Sequence, residues 1–179
     1  MPLETPDSIT IYKTDISPDG NILLGTNLGI YYSIDDGISW NKMGDLVAGV
    51  TNIEYYSDFE IIAGATELYN SVDQGQSWNL VYPNTMMQVL FCTREDYLLL
   101  GKWGGILKSE DRGYNWDTVH LTGNATTFES FIEFDGIYYS GGIDFIGGEN
   151  SGFHKSIDYG DSWELFSLQE HGISKLIID

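Results

Sequence analysis

Short apolar runs broken by turn residues fill the chain, and no segment sustains a helical period. Ile22-Leu23-Leu24 and Leu98-Leu99-Leu100 are apolar at every position. That is the pattern of a strand buried on both faces, whereas a strand with one wet face alternates. A first strand precedes each such run, at residues 8–16, 50–56, 87–93 and 128–134. Turns at Ser17-Pro18-Asp19-Gly20, Ser57-Asp58, Arg94-Glu95-Asp96 and Asp135-Gly136 lead into second strands at residues 21–25, 60–64, 97–101 and 137–140. A third strand then runs into a tight turn, and a fourth leaves it.

That turn is written four times, as S-x-D-x-G-x-[SN]-W. Its fixed positions are Ser33, Asp35, Gly37 and Trp40; Ser71, Asp73, Gly75 and Trp78; Ser109, Asp111, Gly113 and Trp116; and Ser156, Asp158, Gly160 and Trp163. An Asp at the head of a turn accepts hydrogen bonds from backbone N–H groups further on. The Gly suits a left-handed backbone position that a Cβ would penalise. The Trp opens the returning strand, where its ring covers the hairpin. All sixteen residues therefore read as scaffold.

Successive box serines are 38, 38 and 47 residues apart, a period near that of propeller blades. The motif resembles the Asp-box, or bacterial neuraminidase (BNR), repeat of sialidase-type β-propellers. The resemblance implies an all-β fold of four-stranded antiparallel blades at residues 8–46, 47–84, 85–124 and 125–169, in one domain over residues 1–179. Residues 172–179 read as the first strand of a fifth blade. The expectation is therefore a partial propeller, or a ring completed by oligomerisation as a homodimer of half-rings, with a closed four-blade ring that tucks the last strand into its seam as the third option.

Lys and Arg total 8 against 27 Asp and Glu, a formal net charge of −19. Such a surface repels phosphate backbones and anionic lipid headgroups, so neither nucleic acid nor a membrane surface is an expected partner. A single cysteine, Cys92, sits in an apolar run and allows no disulfide within the chain. Neither a signal peptide nor a membrane-spanning apolar stretch is read, so the sequence does not assign a compartment. The resemblance alone implies an extracellular or periplasmic setting.

In a blade the boxes share one end with the turn between first and second strands. Ligand loops are expected at the other end, between second and third strands and between successive blades. Asn27, Glu67, Lys102 and Trp103 fall in these loops. Trp103 is the one tryptophan of five outside a box, set between Lys102 and Gly104, and its ring could stack on a sugar or anchor a partner. The fourth blade carries an insertion at residues 141–152, which contributes Asp144, Phe145, Glu149 and Asn150. Long loops on rigid scaffolds tend to carry function. Asp144, Glu149 and Asn150 also offer the hard oxygen ligands calcium accepts, although EF-hand spacing is absent and no cofactor is otherwise implied.

Sialidases carry the same box, and the resemblance implies three arginines on the substrate carboxylate, a Tyr–Glu pair and an Asp acid/base. Arg94 and Arg112 are the only arginines, and both fall at the box end. The expected function is therefore a non-catalytic scaffold that binds a protein or a glycan through the loops opposite the boxes. One alternative is a fragment of a xyloglucanase-type glycoside hydrolase, drawing its paired carboxylates from Asp45, Glu67, Asp144 and Glu149. The other is a structural unit that self-assembles through open blade edges.

Overall fold

The computed structural model describes residues 9–57, 59–83, 87–122, 126–146, 151–168 and 171–177. These form four four-stranded antiparallel sheets, each in simple chain order. The first comprises β1 (Ile11–Ile16), β2 (Ile22–Thr26), β3 (Gly29–Ser33) and β4 (Asn41–Lys42). The second comprises β5 (Asn52–Tyr55), β6 (Ile61–Gly64), β7 (Leu68–Ser71) and β8 (Asn79–Tyr82). The third comprises β9 (Met87–Cys92), β10 (Leu98–Lys102), β11 (Gly105–Ser109) and β12 (Asp117–Leu121). The fourth comprises β13 (Thr126–Phe134), β14 (Ile137–Asp144), β15 (Gly152–Ser156) and β16 (Glu164–Ser167). No helix occurs among the described residues, and the sheets are the expected propeller blades. The chain divides into two compact units, residues 1–85 and 86–179, with two blades in each.

The box turns share one hydrogen-bond pattern. The serine hydroxyl donates to the first carboxylate oxygen of the Asp at 2.8, 2.8, 3.0 and 2.7 Å in the four copies. The same hydroxyl oxygen accepts the glycine N–H at 2.8, 2.7, 2.9 and 2.9 Å. The Asp also accepts the main-chain N–H of Ser39, Ser77, Asn115 or Ser162, and that residue's side chain donates to its second oxygen. These contacts hold two successive residues at positive φ: Asp36 and Gly37, Gln74 and Gly75, Arg112 and Gly113, Tyr159 and Gly160. The left-handed glycine is as expected. The left-handed side-chain residue before it is not, and it costs about 1–2 kcal/mol relative to right-handed backbone. Trp78, Trp116 and Trp163 donate Nε1–H back to the carbonyl of their own box glycine, closing the turn.

Hydrogen bonding also sets the charge state of the turn. The Asp35 carboxyl is lowered to about 2 by the Ser39 hydroxyl and N–H and by the Ser33 hydroxyl. Asp73 is lowered to about 2 by Ser77 and Ser71 in the same way. At Asp111 and Asp158 burial pushes the carboxyl up, but hydrogen bonds from Asn115 and Ser162 outweigh it and the net shift is downward.

Second strands β6 and β10 are almost wholly buried, as their unbroken apolar runs require, whereas in β2 Ile22 and Leu24 are only half-buried. In residues 1–85 the core is Leu23, Ile30, Leu46, Val50, Ile53, Ile61 and Ala63. In residues 86–179 it is Leu99, Ile106, Phe128, Phe131, Tyr138 and Trp163. Close approach of neighbouring blades depends on one glycine in the second strand. A Cβ on Gly25 would lie 2.5 Å from the Val50 carbonyl oxygen, and one on Gly101 would lie 2.4 Å from that of Phe128. Gly141 faces the Ile173 carbonyl in the same way, at 2.3 Å, and Ile173 N–H donates to the Gly142 carbonyl at 3.2 Å. Ile173 therefore stands to β14 as the inner strand of a following blade would. Residues 171–177 form no ladder among the described residues, so this segment is a docked edge without its own sheet.

The fourth blade differs from expectation in one respect. The insertion reads from sequence as a long loop or, more simply, an extended hairpin; Gly141–Asp144 continues β14 as the hairpin reading has it, and also pairs with an equally lengthened β13, Thr126 opposite Asp144. Pairing backbone along β13 satisfies N–H and C=O groups that a loop would leave to water.

Two outcomes follow for the boxes. Ser71→Ala removes the buried partner of both Asp73 and the Gly75 N–H, and is predicted to lower stability by about 1–3 kcal/mol, read as a shift of the urea midpoint. An unchanged midpoint would contradict the role assigned to that hydroxyl. Because Asp35 and Asp73 titrate near 2 in the fold and at 3.8 in an open chain, their contribution is intact above about pH 4 and is lost as pH falls toward 2. Asp73→Asn should be less stable at neutral pH and should lose less on acidification across that window.

Candidate functional site

At the end of the third blade opposite its box, β10 and β11 are joined by the two-residue turn Trp103-Gly104, with Lys102 facing Gly105 across it. Gly104 has φ +85, a conformation that keeps the turn this short. The turn is latched to the next blade: Trp103 forms an isolated bridge to Thr127, and Gly104 N–H donates to the Thr126 carbonyl at 2.8 Å. This fixes the Trp103 ring, which remains 46% exposed. Phe145 follows directly on β14 and stacks on it, with ring centroids 5.5 Å apart and planes inclined by 14°. Phe145 is 59% exposed, and Leu121 and Ile146, at 74% and 83%, extend the apolar surface. Leu121 pairs with Gly105 beside the turn.

The sequence placed Trp103 and Phe145 in separate loops, and the lengthened β13–β14 hairpin brings them together. Asp144 closes the hairpin from within: its Oδ1 accepts Ile146 N–H at 3.0 Å, its Oδ2 accepts from the Thr126 hydroxyl at 3.4 Å, and its N–H donates to Ser151 Oγ at 2.6 Å. Lys102, expected in the loop, is the last residue of β10 and half-buried. Glu149 and Asn150 lie outside the described residues. Among the described residues no group of three carboxylate, histidine or cysteine side chains is placed to hold a metal ion.

Asn27 and Glu67 belong to the other unit and are already engaged. Asn27 Oδ1 accepts the Thr10 N–H at 2.8 Å, and its own N–H donates to the Thr10 carbonyl, which ties down the entry to β1. Glu67 accepts a hydrogen bond from the Tyr69 hydroxyl. That bond, with burial and the carboxylate's charge, raises Tyr69 to about 12. Both residues serve the local fold.

A histidine pair lies between the third and fourth blades. The His120 and His154 rings are 5.2 Å apart, and both pack edge-on against Phe128. His120 Nε2 is buried with no hydrogen-bond partner. Burial first, and the neighbouring His154 second, push its imidazole down to about 4. Both rings pack in the core, and His120 is held there as the neutral imidazole.

Residues 1–85 hold a cavity of about 670 Å³ at the box end of the blades. The turn of residues 17–21 forms one wall and the second box turn, through Gln74 and Gln76, forms another. Tyr32, Tyr55 and Lys42 complete the polar lining. Reading each box as scaffold explains its fixed positions but passes over the variable ones. Gln74 and Gln76 occupy two of the unspecified positions of the second box, and both face this cavity. The other boxes carry Asp36, Arg112 and Tyr159 at the first of these positions and Ile38, Tyr114 and Asp161 at the second, so the paired amides of the second box were the available signal.

The family model of the BNR/Asp-box repeat matches residues 31–42. No curated protein matches the chain. Among solved structures, an ancestral GH74 enzyme is similar with a TM-score of 0.70 and 19% identity, over 93% of this chain and 25% of its own. The GH74 xyloglucanase from Xanthomonas campestris follows at 0.68 and 16%, over 90% and 31%. A YCF48 structure bound to a D1 peptide has a TM-score of 0.62 and 13% identity, over 92% and 56%. The chain thus spans a quarter to a little over half of these structures' length, and the likeness is one of fold. The chain carries the BNR/Asp-box repeat, and its four sheets are blades of the β-propeller fold built on that repeat.

Proposed function

We propose that the chain is a non-catalytic binding module, which recognises a protein or a glycan through the surface around Trp103 and Phe145. The observation that carries this reading is the stacked, exposed pair of rings. Exposed aromatics cost hydration, yet these two stack on each other, one on a turn bridged to the next blade and the other directly after a lengthened strand. Rigid aromatic surfaces lose little conformational freedom on binding and are favoured as anchors. Leu121 and Ile146 widen the apolar area, and Lys102 lies at its margin.

A non-catalytic role is supported by the state of two of the four candidate acids. Asp144 is spent on its own hairpin and Glu67 on Tyr69, so neither is poised as an acid or nucleophile. The two kinds of relative are in keeping with either ligand class, since one is a xyloglucanase and the other is bound to a peptide. The acidic surface, at net −19, favours neutral or basic ligands over anionic ones.

Probing immobilised neutral-glycan and peptide arrays with the whole chain tests this directly. Trp103→Ala and Phe145→Ala should each reduce binding to any hit by about tenfold or more, the loss expected of an aromatic anchor. Their urea midpoints should stay close to that of the parent, because both rings are exposed. Hits bound equally well by both variants would refute the assignment.

A further inference from the structure

We propose that the cavity in residues 1–85, lined by Tyr32, Lys42, Tyr55, Gln74 and Gln76, is a second binding site, and that its ligand is a short neutral oligosaccharide. This site is independent of the Trp103 surface: it uses other residues, in the other unit, at the box end of the blades. Its volume of about 670 Å³ falls within the roughly 300–1,000 Å³ of small-ligand sites.

The lining is built from fixed parts. Gln74 is held at φ +60 by the second box, and its N–H donates to the Phe59 carbonyl at 3.0 Å. Gln76 N–H donates to the Asp73 carbonyl. On the facing wall, Ser17 Oγ donates to Asp19 Oδ1 and accepts Asn21 N–H, while Asn21 Nδ2 donates to Asp19 Oδ2 at 2.8 Å. Tyr55 is half-buried there, and burial, with the Asp19 charge after it, raises its hydroxyl above the ordinary phenol value. Most backbone N–H groups of both walls are thus engaged. By contrast, the head groups of Lys42, Tyr32, Gln74 and Gln76 have no hydrogen-bond partner among the described residues.

These head groups comprise an ammonium donor, a phenol and two amides that both donate and accept. Sugar hydroxyls donate and accept alike, and the tyrosine rings and Met43 offer apolar faces to the C–H side of a pyranose. Charge removes an acidic sugar from contention, because Asp19 lines the cavity and the chain carries −19 overall. Geometry disfavours a peptide. Strand addition needs an open sheet edge with a ladder to extend, whereas residues 17–21 and 74–76 are turns that present no such ladder, and most of their N–H groups are bonded within the turns.

The test is titration of the whole ¹⁵N-labelled chain with cellotetraose and with maltotetraose, followed by amide shifts. At millimolar concentration at least one should move the Gln74 and Gln76 side-chain amides and leave the Trp103 indole unmoved. Lys42→Ala and Tyr32→Phe, both conservative of the fold, should each weaken that binding by about tenfold, while Trp103→Ala leaves it unchanged. Failure of both sugars to move these amides would overturn the proposal. So would larger shifts with tetragalacturonate, or equal shifts with a glycine–serine tetrapeptide. Loss of the shifts in Trp103→Ala would overturn the site's independence.

Discussion

The serine hydroxyl of each box is the contact on which the rest depends. It sits between a carboxylate, to which it donates, and a glycine N–H, from which it accepts. Ser33, Ser71, Ser109 and Ser156 are all nearly inaccessible to solvent, so their hydroxyls have no water to fall back on. Each hydrogen bond is worth about 0.5–1.5 kcal/mol net, and more where a carboxylate takes part. Together the bonds at a box offset the strain of two left-handed residues in succession. That strain is local, but it fixes where the third strand stops and the fourth begins. Because an L-residue is forced to positive φ beside the glycine, its side chain is also aimed. In the second box that residue is Gln74, and scaffold geometry thereby places a group at the cavity.

A second constraint acts between blades. Gly25, Gly101 and Gly141 let the backbone of the following strand approach to where a methyl group would clash. Close approach brings the neighbouring turns together, and the surface around Trp103 depends on it, since the Trp103 turn is latched onto Thr126 and Thr127. Both surfaces considered as sites arise where a turn of one blade meets an element of the next. A blade in isolation would carry the same residues without either surface.

Much of the fold was legible because it is written locally and repeatedly. The box encodes its turn within eight residues, and unbroken runs such as Leu98-Leu99-Leu100 identify the buried strands. An extended hairpin at the insertion was legible, but the matching lengthening of β13 was not, because it depends on pairing Thr126 with Asp144 across the sheet. For the same reason the sequence marked Trp103 and Phe145 separately but gave no sign that they stack. Asn27 and Glu67 looked available as polar residues in loops, yet Thr10 and Tyr69, both nearby in the sheet, had already engaged them. The cavity was not legible in what the four boxes share. Its chemistry lies in Gln74 and Gln76, where they differ.

The most direct test of this account is native-state hydrogen exchange at the four box glycines. If each Gly N–H is held by a buried serine hydroxyl, then Gly37, Gly75, Gly113 and Gly160 should exchange as slowly as neighbouring ladder amides, although they lie in turns. In Ser71→Ala the Gly75 amide should become fast while the Gly37 amide stays slow. Exchange of all four at the rate of open turns would contradict the claim that a buried serine hydroxyl holds each box turn.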